Sequence, residues 1–322
     1  MFKLQMKNDT FKVLNFADAH ICSDELNPEH RNYKMIRKTI FELMERVKPD
    51  LVTFSGDQAW RESPSSYEYL ASMMDGFNTP YAVVFGNHDQ EGSLDSTVQV
   101  LKSHPLCIYE DGPSEHGRGN YLIGIYKNDK PIHALVMLDS HDHEKCKNDK
   151  GEDVWSWARL LPNQLEWYKE QIKDLKAQGF AQSSIIMHIP TYSYNLAFNS
   201  AFAGEKSNAI SLAESYNPEL WNEGYKDSFG VKYEGICSFF KDDGSLDAIV
   251  EADHTRDILV GHDHVNCFSV KYRGVRHTFS LKLGAGAYHN KSLNGGTVIE
   301  IDANGQTQIK HESVDILEFF ND

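Results

Sequence analysis

Cysteine is sparse in this chain, positive charge is in deficit, and long apolar runs are missing. The five cysteines (Cys22, Cys107, Cys146, Cys237, Cys267) are odd in number and widely spaced, with no Cys-x-x-Cys pair. That argues against a disulfide framework and for reduced thiols. No apolar run reaches membrane-spanning length, and Met1–Asp9 lacks a hydrophobic signal core. Neither a spanning helix nor a secretory leader is therefore expected, and the cytoplasm is the expected location. Lys and Arg number 32 against 47 Asp and Glu, a formal net charge of −15. Such a surface repels phosphate backbones, so no nucleic-acid duplex is expected as a partner. It would also repel a phosphorylated substrate unless bound cations reverse the sign locally. No repeat, low-complexity tract or linker interrupts the 322 residues, so one domain over 1–322 is expected, with about 40% hydrophobic residues to fill a core.

Short β-rich runs alternate with helical patterns. Phe11–Phe16, Asp50–Ser55 and Tyr81–Phe85 read as strands, with helices over Tyr33–Val47 and Ser66–Met74 between them. That alternation implies βαβ units and a largely parallel sheet. Tyr121–Tyr126 and Ile132–Leu138 read as a hairpin, Asn163–Ala177 as a helix opened by Pro162 and ended by Gly179, and Ser184–Met187 as a strand. Asp257–Val260, Cys267–Lys271, Val275–Ser280, Gly296–Ile301 and Thr307–Glu312 read as strands of a second sheet, with Asn304-Gly305 as a hairpin turn. His141–Glu152 and the long segment 191–232 stand out as insertions, the latter as a cap loop.

The chemistry-bearing residues fall just past predicted strand ends. Asp18 and His20 follow the first strand, Asp57 the second, and Asn87 and His88 the third. His188 ends the strand Ser184–Met187, and His262 and His264 follow Asp257–Val260. The carboxyl edge of an open α/β sheet is where ligands bind. Two carboxylates, four imidazoles and one amide suit divalent Zn, Mn, Fe, Co or Ni better than Mg or Ca. Seven donors exceed what one ion takes when a position stays open, so two ions sharing a carboxylate fit better. Two ions roughly 3.5–4 Å apart can clamp both the attacking and leaving oxygens of an in-line displacement and turn a bridging water into hydroxide.

The ordered set Asp18-Ala19-His20, Gly56-Asp57, Gly86-Asn87-His88-Asp89, His188 and Gly261-His262-Asp263-His264 resembles the calcineurin-like metallophosphoesterase superfamily, whose pattern is D-x-H, GD, GNH-[DE], a lone His and GH-x-H. The likeness runs from about residue 11 to about residue 290. With Leu165-Glu166-Trp167-Tyr168 upstream, Leu259–Asn266 looks most like the purple-acid-phosphatase-related, Dcr2-like branch. The resemblance implies an α/β fold of two sheets flanked by helices, in four layers (α/β/β/α). It implies Asp18, His20 and His264 on one metal, Asn87, His188 and His262 on the other, and Asp57 between them. It also implies His88 as the catalytic group facing the phosphate, oriented and kept charged by Asp89. A phosphomonoester, on a small molecule or a phosphoprotein, is the first expectation for the substrate. A phosphodiesterase on cyclic nucleotides or glycerophosphodiesters is the alternative, and a non-catalytic protein-binding scaffold a third reading. One position departs from the branch: Trp60 stands where purple acid phosphatases carry a metal-binding tyrosine, so no tyrosinate colour is expected.

Other residues carry weaker signals. Tyr192, Tyr194 and His289 are candidates for lining the substrate pocket. His141 and His143 have an i, i+2 spacing that could hold a separate metal, but a solvated loop near the site is the readier reading. Trp155, Trp157 and Trp167 read as packing residues.

Overall fold

Leu51–Ser55 is buried at every position, and Tyr81–Val84 likewise. Continuous burial of this kind belongs to strands covered on both faces. The computed structural model describes residues 1–61 and 63–320. In chain order its elements begin with β1 (Phe2–Gln5), β2 (Thr10–Phe16), α1 (Arg31–Val47), β3 (Leu51–Ser55), α2 (Ser63–Phe77), β4 (Tyr81–Val84), α3 (Leu94–Ser103) and β5 (Cys107–Ile108). There follow β6 (Tyr121–Lys127), β7 (Lys130–Met137), β8 (His143–Lys147), β9 (Asp153–Trp157), α4 (Pro162–Gln178), β10 (Gln182–Ile186) and α5 (Ser193–Ala201). The chain ends through α6 (Ser245–Ala252), β11 (Thr255–Val260), β12 (Ser269–Tyr272), β13 (Val275–Phe279), β14 (Gly295–Asp302) and β15 (Thr307–Ser313).

Two main sheets result, flanked by helices as expected. One has the order β15-β14-β2-β3-β4-β5, the other β1-β6-β7-β10-β11-β13-β12. β2, β3 and β4 run parallel, and so do β7, β10, β11 and β13. The largest apolar cluster takes Val13, Phe54 and Val83 from the first sheet and Ile123, Leu135, Met137, Ile186 and Leu259 from the second, so the sheets share a core. A second cluster seats Leu165, Tyr168 and Ile172 of α4 on Ile185 and Ile258. α4 starts with Pro162 in its first turn and ends at Gly179 with φ 90°, the asymmetry expected of its sequence.

Two expectations change. The five C-terminal strands do not form a sheet of their own. β11, β12 and β13 join the hairpin β6–β7 and β10, whereas β14 pairs antiparallel with β2 and carries β15 with it across the Asn304-Gly305 turn. The segment His141–Glu152 contributes to an antiparallel hairpin, β8 with β9. Parallel strands leave their carboxyl ends on one edge, so the loops after β2, β3 and β4 meet those after β10 and β11 across the seam between the sheets.

Candidate metal centre

The loops that meet at this seam are built from strained backbone. Asp18, His20, Asp57 and His262 all have positive φ (58°, 47°, 52° and 76°). Such conformations cost non-glycine residues on the order of 1–3 kcal/mol each and persist only where their surroundings over-determine them. Here the surroundings are hydrogen bonds between the loops. Asp18 N–H donates to Gly56 O at 3.1 Å, and His20 N–H to Asp57 O at 3.0 Å. His262 N–H, from the other sheet, donates to the Asp18 carboxylate at 3.0 Å. Gly56, at φ 85°, lies so close to the His188 ring that any Cβ there would overlap it.

All seven sequence-predicted metal ligands converge. Asp18, His20 and His264 bring ligand atoms within 4.8 Å of one another, and Asp57, His188 and His262 do the same. His188 donates Nδ1–H to Ser55 O at 2.9 Å, leaving Nε2 to face the cluster. Around that nitrogen lie Asp57 Oδ2, Asn87 Oδ1 and His262 Nδ1, each at 3.2 Å. His264 donates Nδ1–H to Tyr288 O at 2.8 Å, and its Nε2 meets His20 Nε2 at 2.9 Å. His20 Nε2 in turn lies 3.6 Å from Asp57 Oδ2. Imidazole nitrogens, a carboxylate and an amide oxygen gathered this closely are the donor atoms a divalent cation takes as ligands. His20 Nδ1 and His262 Nε2 are buried without a hydrogen-bond partner, so neither ring is anchored from behind. The donor set and its geometry therefore fit divalent metal.

Electrostatics say the same. Burial pushes the Asp18 carboxyl up to about 6. Burial also opposes charge on Asp57 and His188, yet their mutual attraction prevails, holding Asp57 below the usual carboxylate range and lifting His188 to about 10. Burial holds His20, His262 and His264 neutral, with ring nitrogens open to a cation, while Asp57 stays a carboxylate among them.

Three expectations about the surroundings are corrected. Asp89 does not touch the His88 ring. It is fully buried, and its carboxylate accepts the backbone N–H groups of Asp57 (2.8 Å), Ala59 (3.0 Å) and Gly86 (2.8 Å), so it shapes the ligand loops. The partner of His88 is Glu91, with Oε1 2.8 Å from Nδ1. Tyr194 is a core residue whose hydroxyl donates to Ile258 O at 2.9 Å behind the second sheet. His289 is not in the ligand cluster; it lies over Phe320 and lines a cavity with Tyr233, Val265 and Lys291. Tyr192 is half-buried at the N-cap of α5, two residues before Tyr194. His141 bonds Gln164 and His143 bonds Asp142, and neither belongs to a metal-type cluster among the described residues.

Other side chains pack around the cluster. Trp60 stacks on His88 at 4.3 Å and 14°. Trp157, from β9, sets its ring at 83° to His262 at 4.2 Å. Tyr288 stacks on His264 at 4.2 Å, with its hydroxyl on Glu234. Lys282 is buried and its ammonium donates to the Asp18 carbonyl. Burial lowers that ammonium to about 8 against the pull of Asp18 and Asp57. The i, i+3 spacing of Glu91 after His88 was a readable signal, and so was Trp60 in the tyrosine position. Nothing in the sequence marks Lys282 or Tyr288.

A family model described as calcineurin-like phosphoesterase matches residues 11–266. The chain belongs to the calcineurin-like phosphoesterase family. That family is metal-dependent, and membership makes this chain a phosphoric ester hydrolase. Its purple-acid-phosphatase and Dcr2-like affinity is also borne out. The chain is 25% identical over 320 residues to "Probable inactive purple acid phosphatase 29" of Arabidopsis thaliana, covering 87% of this chain and 74% of that one. It is 26% identical over 303 residues to "Phosphatase DCR2" of Saccharomyces cerevisiae, covering 86% of this chain and 48% of that one. The solved structure of a dimetal phosphatase from Danio rerio matches with a TM-score of 0.56 at 12% identity, covering 95% of this chain and 97% of that one, a likeness of fold. The chain is thus a calcineurin-like phosphoesterase with a full complement of metal-type donors at its sheet seam.

Proposed function

We propose that this phosphoesterase hydrolyses a phosphomonoester, on a small molecule or a phosphoprotein, at two divalent ions. Asp18, His20 and His264 would hold one ion, Asn87, His188 and His262 the other, and Asp57 would lie between them. Fe, Mn, Zn, Co or Ni suits this donor set. The observation that carries the reading is the convergence of buried metal-type donor atoms: His20 on His264 at 2.9 Å, and His188 on Asp57, Asn87 and His262 at 3.2 Å. Two such ions neutralise phosphoryl oxygens and acidify a water. The chain's own side chains do the rest. Asp57 spans the two ligand groups while its Oδ1 accepts the His88 N–H at 2.8 Å. His88 keeps 27% of its side chain exposed, which supports a role on the solvent side of the cluster, handing a proton to the leaving oxygen.

The word "inactive" in the name of the Arabidopsis relative belongs to that protein. The donors and His88 are all present here, which favours an enzyme over a scaffold. One observation supports a second reading. Beside His88 lie an indole and a carboxylate, Trp60 and Glu91. A negative neighbour suits a singly charged diester better than a doubly charged monoester. Turnover of p-nitrophenyl phosphate and bis-p-nitrophenyl phosphate by metal-reconstituted protein decides between them. Preference for the diester overturns the monoester assignment, and failure to retain any transition metal overturns the site.

None of the five cysteines is joined in a disulfide, which supports a reducing compartment such as the cytoplasm as the place of action. No described helix is long and apolar enough to cross a membrane.

A further inference from the structure

Three separate groups fix the pose of His88, and two of them lie outside the metal-type donor set. Its backbone N–H is tied to Asp57 Oδ1 at 2.8 Å. Its ring lies parallel to the Trp60 indole, 14° between planes and 4.3 Å between centres. Its rear nitrogen, Nδ1, meets Glu91 Oε1 at 2.8 Å. The short 3-10 turn Asp89–Glu91, closed by Glu91 N–H donating to His88 O at 3.2 Å, folds the carboxylate back onto the ring. The first contact sets where the ring starts, the second its tilt and the third its spin. Only Nε2 is left to face reactants, with the His20 ring edge 5.2 Å away between centres.

Building on the hydrolysis proposed above, we infer that Glu91 and Trp60 are positioning residues that aim His88 Nε2 at the oxygen leaving phosphorus. In that step the water oxygen bonds to phosphorus while the bond from phosphorus to the leaving oxygen breaks. The electron pair of the broken bond stays on that oxygen, and the proton on Nε2 moves to it. The proton shed by the water restores the ring, so the products are an alcohol and phosphate. The inference accounts for Trp60 in the tyrosine position: an indole offers no oxygen ligand, but it gives the ring a flat wall. Fixing a proton donor in a near-attack pose is worth most when the leaving group is poor, because a good one departs without help.

The test compares 4-nitrophenyl phosphate, a good leaving group, with phenyl phosphate, a poor one, on the metal-loaded protein. The diester pair is used instead if diesters prove to be the substrates. Glu91→Ala should lower kcat on the phenyl ester roughly 10- to 100-fold, spare the nitrophenyl ester, and leave KM and metal content unchanged. Glu91→Gln, which keeps an oxygen to accept Nδ1–H, should recover most of that loss. Trp60→Ala should mimic Glu91→Ala, and Trp60→Phe should recover. An unchanged kcat in Glu91→Ala, an equal loss on both esters, or no recovery in Glu91→Gln each overturns the inference. His88→Asn separates the two levels. If it leaves turnover of the phenyl ester intact, the proposed role of His88 fails. If it abolishes turnover while Glu91→Ala does not, only the positioning role fails.

Discussion

Asp57 and His188 come from different sheets and face each other at 3.2 Å, carboxylate Oδ2 to imidazole Nε2. One follows β3, the other β10. The contact is buried on both sides, with 2% and 0% of the side chains exposed. Burial opposes charge on both partners, and their mutual attraction is spent largely on overcoming that cost. Its value lies in what it can hold.

Divalent metal should therefore stabilise the fold as well as support turnover. At a free-ion concentration 100-fold above Kd, linkage predicts a gain of about 2.7 kcal/mol. Chelation should lower Tm and abolish turnover, and Mn or Zn should restore both. Asp57→Asn should flatten the dependence of Tm on metal. Differential scanning calorimetry across a metal titration reads this directly, and an unchanged Tm in wild type would remove the ions from the seam.

Asp89 should matter for folding more than for proton transfer. Its carboxylate gathers three buried backbone N–H groups from two ligand loops. Asp89→Ala leaves those donors unmatched, and the expected loss is about 3–5 kcal/mol. Urea unfolding of the metal-free protein checks it. A residue acting only through His88 would leave that unfolding curve in place.

Stability should fall as the medium is acidified from neutral. His133, His277 and His311 are held neutral by burial, each lowered to about 4 from an ordinary value of 6.5. A depressed histidine favours the folded state while it stays neutral. That contribution is full above about pH 6.5, where the unfolded chain is neutral too. It is lost as pH falls toward 4 and the unfolded chain takes protons that the folded one refuses. Urea midpoints at pH 7.5, 6 and 5 should decline in that order, and His133→Gln should shallow the slope. A flat profile would mean these rings gain protons without unfolding.

The site was legible from sequence to the extent that its geometry is local. Asp18, Asp57, Asn87, His188 and His262 each follow a strand, and strand ends are set by short-range pattern. The four-layer fold was legible through resemblance. Strand partners were not: β14 pairs with β2, and β15 with β14, although both follow β13 in sequence, because pairing is settled by distant surfaces that must be covered. Asp89 was assigned to its sequence neighbour His88, yet its short side chain turns inward to backbone donors, leaving the ring to Glu91. Tyr194 was judged by nearness to His188 in sequence. The turn into α5 carries it behind the sheet, where its hydroxyl finds the Ile258 carbonyl. Lys282 was invisible because a buried ammonium is defined by its surroundings, and its partner lies 264 residues away at Asp18.

A centre whose halves belong to different sheets is also a gauge of their alignment. A slide of one sheet over the other by an ångström would separate His188 from Asp57 and His262 from Asp18 without unfolding either sheet. Side chains in the shared core, such as Leu135 or Ile186, carry no donor atom, yet they set that alignment. Trimming one of them should surface first as loosened metal grip and only later as lost fold, so bound ions would serve as the molecule's own strain sensor for its interior.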